Sequence, residues 1–171
     1  MTRAYVIILA LSACLGTVVS CSGSDGPDNS GSLTCFSQFG HDNGQKVTFT
    51  VDMSDTCVYA LNLIARIDKK NPPDSVTIGI QIISPSGRQG KETVTYPSAY
   101  RAMASEATTD RRLRVASSSG YYDISWLYRD NIKPVENGEW TISIIRPQPQ
   151  KSRIMGAGIS LKTIPTARQQ N

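Results

Sequence analysis

The chain has 171 residues, of which 39% are hydrophobic, with 4 Cys and 1 His. Eighteen Lys and Arg against 14 Asp and Glu leave a formal charge of +4, scattered rather than gathered in a stripe, so nothing electrostatic points to nucleic acid. A chain of this length holds one domain with its own core even after a leader and a linker are set aside.

Arg3 is the only charge before Asp25. The apolar run from Tyr5 to Leu11 is too short to span a bilayer, which takes roughly 20 residues. A charged start, a short apolar run and a small residue before a cut site mark a secretory signal. The following Val18-Val19-Ser20-Cys21 resembles the lipobox of bacterial lipoproteins. The resemblance implies cleavage before Cys21 and lipid on its sulfur. A rival box, Leu11-Ser12-Ala13-Cys14, leaves a shorter apolar run. Two or three acyl chains on one residue hold effectively permanently, since each buried methylene contributes about 0.8 kcal/mol. Ser22 at the next position resembles lipoproteins sorted to the outer membrane.

Ser22 to Ser32 has no apolar residue and reads as a Gly/Ser tether. The expected division is therefore a signal peptide over 1–20, a lipidated Cys and flexible tether over 21–45, a β-sandwich over 46–165, and a polar tail over 166–171. After processing, Cys35 and Cys57 remain as thiols in an oxidising compartment, and the expectation is a disulfide between them. It would close a loop of about 23 residues, a constraint of roughly 3 kcal/mol on the chain-entropy model. The alternative is two separate buried thiols.

From residue 46 onward the chain reads as strands. Val47, Phe49, Val51 and Met53 alternate with Thr48, Thr50 and Asp52, which gives one wet face. Cys57 to Ile67 is apolar on both faces and predicts a strand covered on both sides. Val76, Ile78, Ile80 and Ile82 alternate with Thr77, Gly79 and Gln81. Ser84-Pro85-Ser86-Gly87 then makes a turn, and Lys91 to Tyr96 returns. Residues 97–110 lose the alternation, and Ser98 is placed to cap a short helix through Glu106. Strands resume at Arg112 to Ala116 and at Tyr121 to Tyr128. Asn137-Gly138 is a turn signal before Trp140, Ile142 and Ile144. Met155 to Ile164 closes the domain. Seven to nine strands at this spacing predict a single all-β sandwich of jelly-roll type.

No catalytic constellation is legible. His41 is the only histidine and lies in Gly40-His41-Asp42-Asn43-Gly44, a turn-like segment. Gly-x-Ser-x-Gly and His-Glu-x-x-His are absent. No ligand run suggests a metal, and no cofactor is implied. The loop acids Asp52, Asp55, Asp123, Asp130, Glu136 and Glu139 read as solvated. Arg111-Arg112-Leu113-Arg114, the densest basic spot, reads as a solvated loop or strand edge. Aromatics alternating on strands are usually core, which is the expectation for Trp126 and Trp140. Tyr100 and Tyr121 are off the alternation or in a loop. They are the candidates for a ligand contact, a glycan above all. A sugar site of that kind shows coplanar exposed rings in one cleft. A protein-interaction subunit shows an apolar patch or an unpaired strand edge instead.

Several landmarks carry a family resemblance. They are the strand from Tyr59 to Arg66, the strand ending in Ser84-Pro85-Ser86-Gly87, the run Asn137-Gly138-Glu139-Trp140-Thr141-Ile142-Ser143-Ile144, and the closing Gly156-Ala157-Gly158-Ile159. With the lipobox start, they resemble the gliding-motility-associated lipoprotein GldH family of Bacteroidetes. The resemblance covers most of residues 47–163. It implies a non-enzymatic outer-membrane lipoprotein, anchored through Cys21 and accessory to a gliding and type IX secretion complex. A carbohydrate-binding surface lipoprotein is the alternative reading.

Overall fold

The computed structural model describes residues 22–24, 31–39, 45–97, 113–147 and 153–164. The signal segment, Cys21, His41, the helix expected from Ser98, Tyr100, Arg111-Arg112 and the tail lie outside them.

The described residues form ten strands in two antiparallel sheets. One sheet runs β1 (Ser22–Ser24), β2 (Ser32–Gln38), β10 (Ile154–Ile164), β4 (Val58–Asp68), β8 (Tyr121–Ile132) and β7 (Leu113–Ser117). The other runs β3 (Lys46–Met53), β9 (Gly138–Ile145), β5 (Ser75–Ile83) and β6 (Gln89–Pro97). Setting aside the edge strands β1 and β7, the orders β2-β10-β4-β8 and β3-β9-β5-β6 are those of a jelly roll. The chain crosses between sheets at β2 to β3, β3 to β4, β4 to β5, β6 to β7, β8 to β9 and β9 to β10.

Period-two patterning builds the core. On β3, Val47, Phe49, Val51 and Met53 are buried while the residues between them are exposed. On β5, Val76, Ile78 and Ile80 point the same way. β4 supplies Leu61, Leu63, Ala65 and Ile67, and β10 supplies Ala157, Ile159 and Leu161. Each such aliphatic side chain contributes about 1.5–3 kcal/mol on burial. β8 adds Ile124 and Trp126, and the Trp126 ring stacks on Tyr96 of β6, centroids 4.9 Å apart. That stack ties the open flank of one sheet to the edge of the other.

The structure corrects the sequence reading at several places. The tether expected over 21–45 contains structure: Ser22–Ser24 pairs with β2, and β2 pairs along its whole length with β10. Cys35 from that segment is fully buried in the core. Strand β2 was missed because Ser32, Thr34, Ser37 and Gln38 dilute its apolar pattern. β4 is covered on one face only: its other face carries Ala60, Asn62, Ile64 and Arg66, all half-buried on the outside of the sheet. The expected Cys35–Cys57 bridge is not formed, since Cys57 is a free thiol. Cys35 is disulfide-bonded, and its partner is not among the described residues.

Two glycines in β10 let β2 come close. A Cβ at Gly156 would stand 2.6 Å from Cζ of Phe36, and one at Gly158 would meet the carbonyl oxygen of Cys35. The Phe36 ring therefore lies over the bare backbone of β10.

Candidate functional site

Among the described residues, the flank of the sandwich beside β8 is open. β7 pairs with β8 only over Tyr122 to Trp126. Beyond that, the outer edge of β8 from Leu127 to Ile132 has no neighbouring strand among the described residues. Here β8 is also irregular. Leu61 pairs with Arg129 but Tyr59 with Ile132, so β8 has one residue more than β4 in that step. Asn131 takes up the surplus in the left-handed region, with φ 53°, a conformation Asn tolerates better than most residues. Such bulges re-aim side chains and end regular pairing.

A cleft of about 620 Å³ opens between this stretch and β6, the edge strand of the other sheet. Its floor is core: Leu61 and Leu161 from one sheet, Ile80 and Ile142 from the other. Its rim is polar. Arg129 donates from Nη2 to Glu92 at 3.0 Å and lies over the Tyr128 ring, 5.2 Å from the centroid. Burial, and then the hydrogen bond to Glu92, push the Tyr128 phenol up to about 12. On the opposite wall Glu136 accepts from Ser86 Oγ at 2.8 Å and from Arg88 at 3.4 Å. Hydrogen bonds from Ser84 and Ser86, with the Arg88 charge, hold its carboxyl below the usual range. Trp140 is not the core residue the alternation suggests. It is half-buried at the cleft, and its Nε1 donates to the Glu136 carbonyl at 3.4 Å. Next to Glu136 stands Val135, 72% exposed.

The second feature is a row of side chains on the outer face of the larger sheet. Arg66 donates from Nε and Nη2 to the two carboxylate oxygens of Asp123, at 2.7 and 2.8 Å. The guanidinium lies 3.9 Å from the Tyr121 centroid and 4.5 Å from the Phe36 centroid, so two rings bracket it. The bond to Asp123 raises the Arg66 pKa, so this side chain is a fixed cation. Beside it a depression of about 350 Å³ is lined by Thr34, Phe36, Ile64, Arg114 and Ser125, among others.

The expected ligand residues are therefore divided. Tyr121 is in the outer-face row and already holds Arg66, while Tyr100 lies outside the described residues. Trp126 is core, and its Nε1 has no partner among the described residues. The coplanar exposed rings of an ordinary sugar cleft are not found among the described residues. Phe36, Arg66 and Glu92 were missed by the sequence reading. Period-two counting along β4 puts Arg66 on the outer face. No sequence signal indicates that it meets Asp123, 57 residues away. Among the described residues no group of three His, Cys, Asp or Glu is placed to hold a metal ion, and no helix is long and apolar enough to cross a membrane. No protein-family model matches the chain, and no curated protein is significantly similar to it.

Proposed function

We propose that this protein acts by binding rather than catalysis, as a lipid-anchored accessory subunit of an outer-membrane assembly of the gliding-motility and type IX secretion kind. One observation carries the binding reading. The edge of β8 from Leu127 to Ile132 is unpaired among the described residues and opens on a cleft with an aliphatic floor. An extended segment of a partner protein satisfies both halves at once. Its backbone pairs with the free edge, and its alternate side chains fill the cleft. Exposed Val135 at the rim is a first contact of the kind that marks protein-binding surfaces. The anchor rests on the lipobox alone.

The test is affinity isolation of the protein from native envelope, beside Cys21→Ala and Val135→Asp forms. Docking at the cleft of an anchored protein predicts one set of envelope proteins with the native form, at least tenfold depleted with either variant. Equal recovery with Val135→Asp would refute docking at the cleft. Equal recovery with Cys21→Ala would refute the need for the anchor.

A further inference from the structure

The depression on the outer face combines features that the docking cleft does not use. Arg114 on β7 is exposed and makes no ion pair or hydrogen bond among the described residues. Across the depression Arg66 is held rigid by Asp123 and two rings, with Nη1 left over after Nε and Nη2 are spent. The lining thus carries two guanidiniums against one carboxylate. The remaining surface is a small apolar patch, Ile64 and Phe36, with the hydroxyls of Thr34 and Ser125 around it. Small residues keep the face low: Gly156 and Gly158 under the Phe36 ring, and Ala116 on β7.

The chemistry that fits is an anion on a compact ring with both hydroxyls and an apolar face. We propose that this depression binds an acidic sugar residue, a uronate within an anionic polysaccharide. Arg114 takes the carboxylate, with the planar fork that suits it. Ile64 and Phe36 meet the C–H face of the sugar. Asp123, Thr34 and Ser125 pair with its hydroxyls. A glutamate side chain of a protein brings the carboxylate but no hydroxyls for Asp123, Thr34 and Ser125, so an acidic peptide fits worse. The site shares no lining residue with the docking cleft, so the two proposals stand or fall separately.

The experiment is calorimetric titration of the full protein with tetragalacturonate, a neutral tetraglucoside and a tetraglutamate peptide. Binding is expected for tetragalacturonate alone and should weaken with added salt. Arg114→Ala is exposed and leaves the fold intact. It should weaken binding by about tenfold or more, the loss of a charged hydrogen-bonding partner. Arg114→Lys should recover part of that loss. Ser125→Ala should weaken binding without changing its salt dependence. Unchanged affinity in Arg114→Ala would overturn the proposal. So would absence of binding, or equal binding of the neutral sugar or the peptide.

Discussion

Gly158 of β10 faces Phe36 of β2 across the ladder, and the pair has no room for a Cβ. A methyl group there would run into the Cys35 carbonyl and the Phe36 ring. Gly158→Ala is therefore expected to destabilise the domain by about 3 kcal/mol, the upper range of overpacking. Gly90→Ala is the control: nothing lies within 4 Å of its added Cβ, and the change should stay within about 0.5 kcal/mol. Urea denaturation of both variants checks this. Equal stabilities would mean that β2 is not packed on β10 as described.

Tyr128 gives a pH signature. Its folded pKa of about 12 lies above the usual tyrosine value near 10. A raised folded pKa means that the contribution is whole below the unfolded value and is lost as pH rises toward the folded one. Stability should therefore be flat up to about pH 10 and fall between about 10 and 12. In Tyr128→Phe the fall should be shallower. Denaturation midpoints across that range, with absorbance of the phenolate, decide it. A decline identical in both proteins would contradict burial of this phenol at the cleft.

The Tyr96–Trp126 stack closes the flank beside the cleft. Tyr96→Ala should cost about 1–2 kcal/mol and let water reach the indole, shifting its emission to the red. Trp140, at the cleft rim, should keep its own emission. An unshifted Trp126 signal would mean that the ring is not covered by Tyr96.

Why some of this was legible and some not follows from how each residue reports its place. Val47 to Met53 alternate cleanly because one face of the strand is core and the other is wet; on β5 the structure keeps the alternation from Val76 to Ile80, while Gln81 is buried and Ile82 only half-buried. The Asn137-Gly138 turn was readable because Gly138 needs its φ of +122°. Strand β2 was not, because Cys35 is its one buried residue and Ser32, Thr34, Ser37 and Gln38 resemble the preceding tether. The cleft was not legible either. It lies where β8 runs beyond its pairing with the described part of β7 and bulges at Asn131, and neither register nor strand pairing is written in local pattern. Arg66 and Asp123 read singly as ordinary charges. Only the β4–β8 pairing, Arg66 opposite Asp123, makes them one unit.

The cysteines separate two states of the N-terminus. Lipid on Cys21 predicts a mature protein beginning at that residue and heavier by its acyl groups. Intact mass reads both. In the folded protein Cys57, a partly exposed free thiol, should react with maleimide. An unacylated chain that keeps its first 20 residues would instead remove the anchor from the proposal.

Docking at the free edge of β8 is best tested by site-specific photo-crosslinking in native envelope. The photoreactive residue replaces Val135 at the cleft rim in one form, and Met155, 48% exposed on β10, in the other. Docking at the cleft predicts a single partner joined at 135 and absent at 155, with the crosslink falling in an extended segment of that partner. No crosslink at 135, or the same proteins joined at both positions, would contradict it.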